Sequence, residues 1–134
     1  MSNTQATGVA YSDPEFTTCY ASQEIGYSAS AQGTVTQATS KSTGVTLNKS
    51  AGQITMNNAA LAAATNVAFT LTNSLISTND VMIVNVAGGA ATAGTYNVFT
   101  STLAAGSATI VLRNISAGSL SEAVVINYAI IHGA

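Results

Sequence analysis

Residues 111–134, VLRNISAGSLSEAVVINYAIIHGA, hold several of the few side chains in this sequence that could do chemistry. Arg113 is one of three basic residues, Glu122 is one of five acidic residues, and His132 is the only histidine. Nucleophilic catalysis needs a nucleophile, a base and usually a group that orients the base. His132 would have to be that base, but chain ends are commonly loose and the sequence has no GxSxG motif. We therefore predict no catalytic residue, and we interpret His132 as a solvated chain end.

Acid and base catalysis on sugars would need two carboxylates that face each other across a cleft. Outside the first 33 residues the only carboxylates are Asp80 and Glu122. Each comes directly before an apolar strand pattern, where a polar side chain commonly faces water. The single cysteine, Cys19, and the single histidine offer no spacing that would hold zinc. We therefore expect no metal, no cofactor and no small-molecule substrate.

Arg113 and Glu122 stand on either side of the connection NISAGSL, at the end of one predicted strand and the start of the next. If these two strands form a hairpin, the two side chains can meet as a cross-strand ion pair. A pair of this kind near the surface contributes about 0–1 kcal/mol. We predict that Arg113 and Glu122 form a structural ion pair rather than part of a reaction centre.

The composition describes a folded but weakly charged protein. Charged residues make up 6% of the chain and hydrophobic residues 47%, with a net charge of −2. Disordered chains combine low hydrophobicity with high net charge, so this chain should fold. Fifteen serines, nineteen threonines and eleven asparagines are available to hydrate the surface, and with glycine they favour strands and turns over helices. Net charge keeps soluble proteins apart, and this chain carries little of it, so we expect an obligate oligomer.

Several classes of partner do not fit this sequence. Nucleic-acid binding requires clustered basic residues, whereas Lys41, Lys49 and Arg113 are scattered. No apolar run approaches the ~20 residues of a membrane helix. The N-terminus lacks the basic start and apolar run of a secretory signal. We expect a protein that is made in the cytoplasm and that binds neither nucleic acid nor membrane.

Residues 1–33 differ from the rest of the chain. They contain four of the eight aromatic residues and three of the five acids, and no base. The aromatic residues follow no helical or strand period, and Pro14 and three glycines interrupt any long element. We interpret this region as an extended N-terminal arm whose rings anchor it on a partner; the alternative is a flap folded onto its own domain. The predicted anchors are Tyr11, Phe16, Tyr20 and Tyr27.

From residue 34 onward the dominant pattern has a period of two. In NVAFTLTN, for example, Val67, Phe69 and Leu71 alternate with small or polar residues, as in a half-buried strand. About eight such strands follow one another, which indicates an all-β sandwich or barrel over residues 34–134. The segment 57–65 is expected to form at most one helical turn. The last strand is apolar on both faces and should be central or packed against a subunit. The predicted strands are 34–39, 44–47, 52–56, 66–73, 80–86, 95–103, 107–114 and 121–131.

Three stretches of the region 40–131 resemble a domain of tailed-bacteriophage virion proteins. They are STGVTLNKSAGQITMNNAAL, FTLTNSLISTNDVMIVNV and GSATIVLRNISAGSLSEAVVINYAI. The domain occurs in capsid decoration (cement) proteins and in the tips of tail fibres. The resemblance implies a trimeric β-structure without enzymatic activity, and with it we predict an antiparallel jelly-roll-like sandwich of about eight strands. It covers about two thirds of the chain and does not reach residues 1–33.

Two functions remain open at this stage. The first is a structural virion protein that binds the phage head surface as a homotrimer, with its arm lying along the major capsid protein. The alternative is a tail-fibre tip, or receptor-binding knob, that contacts the host surface through exposed loops. The short arm and the lack of a fibre shaft favour the decoration protein.

Overall fold

The computed structural model describes residues 16–133, which form eight β-strands and one short 3-10 helix. The helix, Ala29–Ala31, leads directly into the first strand. The strands are β1 (Gln32–Thr36), β2 (Val45–Thr46), β3 (Ala51–Thr55), β4 (Asn66–Thr72), β5 (Val81–Gly88), β6 (Tyr96–Ala104), β7 (Ser107–Asn114) and β8 (Val125–Ile131). The first strand therefore begins two residues inside the region that the sequence assigned to the arm, and the all-β class is confirmed.

The strands form two four-stranded sheets, with the order β1-β3-β8-β5 in the first sheet and β2-β4-β7-β6 in the second. β1 and β3 pair in parallel, as do β2 and β4, while the other pairs are antiparallel. The prediction of a wholly antiparallel fold is therefore wrong. From β1 to β4 the chain alternates between the two sheets. Each time it returns to a sheet, the new strand runs parallel to the strand that it placed there before.

One hydrophobic core takes side chains from both sheets. In the first sheet, Ile54, Ile126 and Ile130 are fully buried, and Leu71 and Ile110 are fully buried in the second. Since successive side chains in a strand point to opposite faces, this inner set also determines which residues point away from the core. The residues that point outward carry the candidate binding surface.

The last strands confirm one prediction and contradict another. β8 lies between β3 and β5, so of the two alternatives for the last strand, central or packed against a subunit, the central position is the one observed. It does not form a hairpin with β7, because β7 belongs to the second sheet. The hairpin that does form joins β6 to β7 through a turn at Gly106, whose φ of +77° suits glycine. Segment 57–65 has no helical turn and instead contributes a single bridge from Leu61 to Leu120.

Gly52 lies where β1, β3 and β8 pack too closely for a side chain. A Cβ atom at this position would lie 2.7 Å from Leu47 Cδ2, 2.9 Å from the Gly33 carbonyl oxygen and 2.9 Å from Tyr128 Cε1. Gly118 offers the opposite case, because a Cβ atom there would meet nothing within 4 Å. Gly52 and Gly118 therefore form a matched pair for testing the close packing around Gly52.

We predict that Gly52→Ala lowers the free energy of unfolding by about 1–3 kcal/mol, because overpacking forces neighbouring atoms to shift. Gly118→Ala should leave it unchanged within about 0.5 kcal/mol, as expected for an open surface position. Chemical denaturation of the two variants and the wild type measures both values. Equal stability of the two variants would contradict the close packing around Gly52.

Candidate binding surface

Residues 16–28, which we call the N-terminal strap, carry three of the predicted arm anchors in very different environments. Phe16 and Tyr20 are 66% and 92% exposed, and Ile25 between them and the helix is 86% exposed. Tyr27 instead donates a hydrogen bond from its hydroxyl to the carbonyl oxygen of Ile130 in β8. The fourth predicted anchor, Tyr11, lies outside the described residues. At Tyr27 the chain thus follows the flap alternative, whereas Phe16 and Tyr20 remain available to a partner.

The outward face of the first sheet presents a row of neutral polar side chains across its four strands. Strand register places Thr34 beside Gln53, Gln53 beside Asn127, and Asn127 beside Asn85. Gln53 Nε2 donates to Asn127 Oδ1 over 3.0 Å. We call these four residues the polar row, and no member of it carries a charge.

A groove of about 600 Å³ lies beside the polar row. Its floor includes Ala51 and Ala129, which are direct partners on β3 and β8. Tyr27 of the strap and Gln32 of β1 also line the groove. Gln32 Nε2 donates to the Tyr27 carbonyl oxygen over 2.9 Å, so two hydrogen bonds hold Tyr27 against the sheet.

The same outward face ends in a patch of exposed aliphatic side chains at the β5 edge. Val81, Ile83 and Ile131 are each more than half exposed. Val81 of β5 pairs directly with Ile131 of β8. Ile83 pairs with Ala129, which lies two residues before Ile131 on the same face of β8. We call these three residues the apolar corner. Since large exposed apolar clusters commonly mark interaction sites, the corner extends the binding surface beyond the groove.

Arg113 and Glu122 do not form the predicted ion pair. Arg113 Nη1 donates to Asn66 Oδ1 over 3.4 Å on the outside of the second sheet. Glu122 Oε1 instead accepts a hydrogen bond of 2.7 Å from the backbone N–H of Ala91. The prediction assumed that β7 and β8 pair as a hairpin. The connection between them crosses from one sheet to the other, which separates the two side chains.

Lys41 is buried, which the sequence pattern did not predict. It is 3% exposed, and its Nζ donates to the backbone carbonyl oxygens of Asn57 over 2.6 Å and Glu122 over 2.5 Å. Burial lowers the pKa of Lys41, and the negative charge of Glu122 partly opposes this change. The buried side chain of Gln37 donates to the carbonyl oxygens of Lys41 and Thr43. These bonds fasten the β1–β2 loop to the segments that precede β4 and β8.

Tyr96 lies close to the Glu122 carboxylate. The Tyr96 hydroxyl and Glu122 Oε2 are both buried, and neither has a hydrogen-bond partner among residues 16–133. Burial first, and Glu122 second, raise the pKa of Tyr96 to about 12. The phenol therefore stays protonated at neutral pH.

Asp80 and His132 also differ from the sequence prediction. The side chain of Asp80 is 1% exposed rather than facing water, and His132 is 49% exposed. Asp80 Oδ2 accepts from the Ser77 N–H over 2.8 Å and lies 3.2 Å from His132 Nδ1. Asp80 Oδ1 accepts from the Ser77 hydroxyl over 2.9 Å and from the Gly133 N–H over 3.1 Å. This carboxylate therefore ties the end of β8 to the turn before β5.

The hydrogen bonds to Asp80 change its acidity. The Ser77 N–H, followed by the Ser77 hydroxyl, the Gly133 N–H and His132, lowers the pKa of Asp80 from 3.8 to about 2, although burial opposes this change. A carboxylate with a depressed pKa in the folded state stabilises the fold above its unfolded pKa, and this stabilisation is lost as the pH falls through the folded pKa.

Reasoning from the sequence missed Gln32, Gln53, Asn127 and the buried Lys41. Gln53 and Asn127 were visible as polar residues within the apolar strands AGQIT and VINYAII, but their partnership depends on β3 and β8 lying side by side. Lys41 gave no signal, because a single lysine in a polar loop usually faces water. Asp80 had a weak local signal, since the pattern Ser-x-x-Asp is common in side-chain-capped turns.

Within residues 16–133, no group of three or more His, Cys, Asp or Glu side chains is placed to hold a metal ion. No helix in that range has the length and apolar character needed to cross a membrane. Comparison of the chain with known protein families, curated proteins and solved structures finds no match.

We predict that Lys41→Ala lowers the free energy of unfolding by about 2 kcal/mol, because two buried carbonyl oxygens lose their donor. Lys49→Ala is the matched control, since Lys49 Nζ donates to Ser30 at the exposed surface, and it should change stability by less than about 0.5 kcal/mol. Urea denaturation of both variants distinguishes the two lysines. An equal loss in both would show that burial of Lys41 is not important to the fold.

We predict that the wild-type protein loses thermal stability as the pH falls from about 4 to about 2, the interval between the unfolded and folded pKa of Asp80. Asp80→Asn should be less stable at neutral pH and should lose less on acidification, because an amide does not titrate and cannot accept all four bonds. Thermal midpoints measured across this pH range test both parts. Glu24→Gln, which alters an exposed carboxylate in the strap, should retain the wild-type pH profile.

Proposed function

We propose that this protein is a structural virion protein that decorates the head of a tailed bacteriophage and stabilises it as a homotrimer. The observation that carries the proposal is the strap, in which the side chains of Phe16, Tyr20 and Ile25 are largely exposed to solvent. Exposed rings of this kind are costly on a free surface and are the residue types that dominate binding at interfaces. On the assembled head they would lie against the major capsid protein.

The apolar corner at the β5 edge of the first sheet supports a role in assembly. It carries no charged side chain, and its three side chains remain exposed in the monomer. Burial of such a surface incurs no cost for desolvating a charge. We propose that the two sheets form a jelly-roll-like sandwich and that three copies associate into a rigid trimer. Three straps on one trimer would bind the head far more tightly than a single strap, through multivalency.

A second candidate function is a receptor-binding knob at the tip of a tail fibre. Residues 91–94 of the β5–β6 loop are exposed and are the kind of loop through which such a knob would contact a host. The two functions differ in their target, so binding to heads and binding to host cells distinguish them. We favour decoration because the exposed rings lie in the strap rather than in this loop.

We predict that the purified protein has a mass three times the 13.4 kDa of one chain and co-sediments with parent-phage heads assembled without it. The triple variant Phe16→Ser, Tyr20→Ser, Ile25→Ser should keep the same thermal midpoint, because these side chains are exposed. It should bind heads at least about 30-fold more weakly, the effect of losing one ~2 kcal/mol interface anchor. Native mass spectrometry and sedimentation binding assays measure both.

The matched control is Leu75→Ser, which removes an exposed large apolar side chain outside the strap and should leave head binding unchanged. Wild-type affinity in the triple variant would contradict the role of the strap. Binding of the isolated protein to host cells, together with no affinity for heads, would replace decoration with the receptor-binding function.

A further inference from the structure

The Gln53–Asn127 pair in the groove leaves hydrogen-bonding capacity unused. Their mutual bond occupies Gln53 Nε2 and Asn127 Oδ1, and neither side chain makes another hydrogen bond among residues 16–133. Gln53 Oε1 therefore remains an acceptor, and Asn127 Nδ2 remains a donor. If both amides were rotated by 180°, the pair would still leave one donor and one acceptor, so this property does not depend on how the amide atoms are assigned.

Tyr27 lines the same groove, and two hydrogen bonds fix its position. The Tyr27 hydroxyl donates a hydrogen bond to the Ile130 carbonyl oxygen, and the backbone carbonyl of Tyr27 accepts one from the Gln32 side chain. These two bonds hold the ring in place before a ligand arrives, which lowers the entropy cost of binding. The small side chains of Ala51 and Ala129 leave the floor of the groove open.

The groove also selects against charged ligands. No residue that lines it is charged, so an ionic ligand would lose hydration without gaining a partner. Its volume of about 600 Å³ lies within the range of small-molecule sites, about 300–1,000 Å³. The occupant that matches these features is neutral, has one apolar face and presents neighbouring groups that each donate and accept hydrogen bonds.

We propose that this groove binds a neutral saccharide. Two adjacent hydroxyls of one sugar ring would bond to Gln53 and Asn127, because each hydroxyl can act as both donor and acceptor. The C–H face of the ring, or of the next ring along, would pack against Tyr27. This inference goes beyond decoration and does not depend on it, since the groove lies on the described sheet whether the protein sits on a head or on a fibre.

The experiment is an NMR titration of the full-length ¹⁵N-labelled protein with neutral oligosaccharides. The panel contains trisaccharides of glucose, galactose, mannose, rhamnose and N-acetylglucosamine, each at millimolar concentration. At least one should shift the side-chain amide signals of Gln53 and Asn127 and the backbone signals of Ala51 and Ala129. The outward face of the second sheet should not respond.

Two variants test the assignment of the site. The double variant Gln53→Ala, Asn127→Ala alters two exposed side chains and should keep the wild-type thermal midpoint while weakening saccharide binding at least tenfold. Asn97→Ala removes an exposed amide from β6 in the second sheet and should bind as the wild type does. Head binding by the double variant should be unchanged, so that loss of saccharide binding is separable from loss of the proposed decoration function.

Several outcomes would overturn the inference. They are no shift with any member of the panel, shifts confined to residues outside the groove, and wild-type affinity in the double variant. Tighter binding of a sialylated trisaccharide than of its neutral counterpart would also overturn it, because the groove offers no cation to a carboxylate. No shift in the intact assembly together with shifts only in a dissociated form would overturn it as well, because a second copy of the chain would then be the natural occupant of the groove.

Discussion

Ile54, Ile126 and Leu71 are fully buried in the core that the two sheets share, and the rest of the structure depends on this arrangement. Because side chains alternate along a strand, burying one set of residues places the next set on the outside. A shift of one residue in β3 or β8 would bring Gln53 and Asn127 into the core and expose the isoleucines. The packing of the core thus determines the positions of the polar row and the apolar corner.

Two of the five charged residues that follow residue 33 are buried in the fold. Lys41 and Asp80 are both buried, and each bonds to backbone groups of segments that are distant in sequence. A buried charge is tolerated only where hydrogen bonds replace its hydration. These two residues hold together loops that the apolar core does not reach. The four strands of the first sheet contain no charged residue, although the protein contains eight acidic and basic residues.

The strap connects the two proposals made for this protein. Its exposed residues Phe16, Tyr20 and Ile25 are the proposed contacts with a phage head, while Tyr27 is fixed on the sheet and lines the groove. The strap changes role between Ile25 and Tyr27, where the Tyr27 hydroxyl meets β8. Head attachment and saccharide binding would then use separate parts of one surface, so a protein seated on a head could still present the groove to solvent.

The amino-acid sequence by itself determined the all-β class and the approximate number of strands, because alternation of apolar and polar residues is a local property that can be read directly. It also indicated that both faces of the last strand are covered, without deciding whether a strand or a subunit lies beside it. Only the tertiary structure decided which strands pair. The parallel pairs, the separation of Arg113 from Glu122, and the meeting of Gln53 with Asn127 all depend on the sheet to which each strand returns. That choice is made by the shared core, where side chains far apart in the sequence must pack together, and a period of two contains no information about which strand becomes a neighbour.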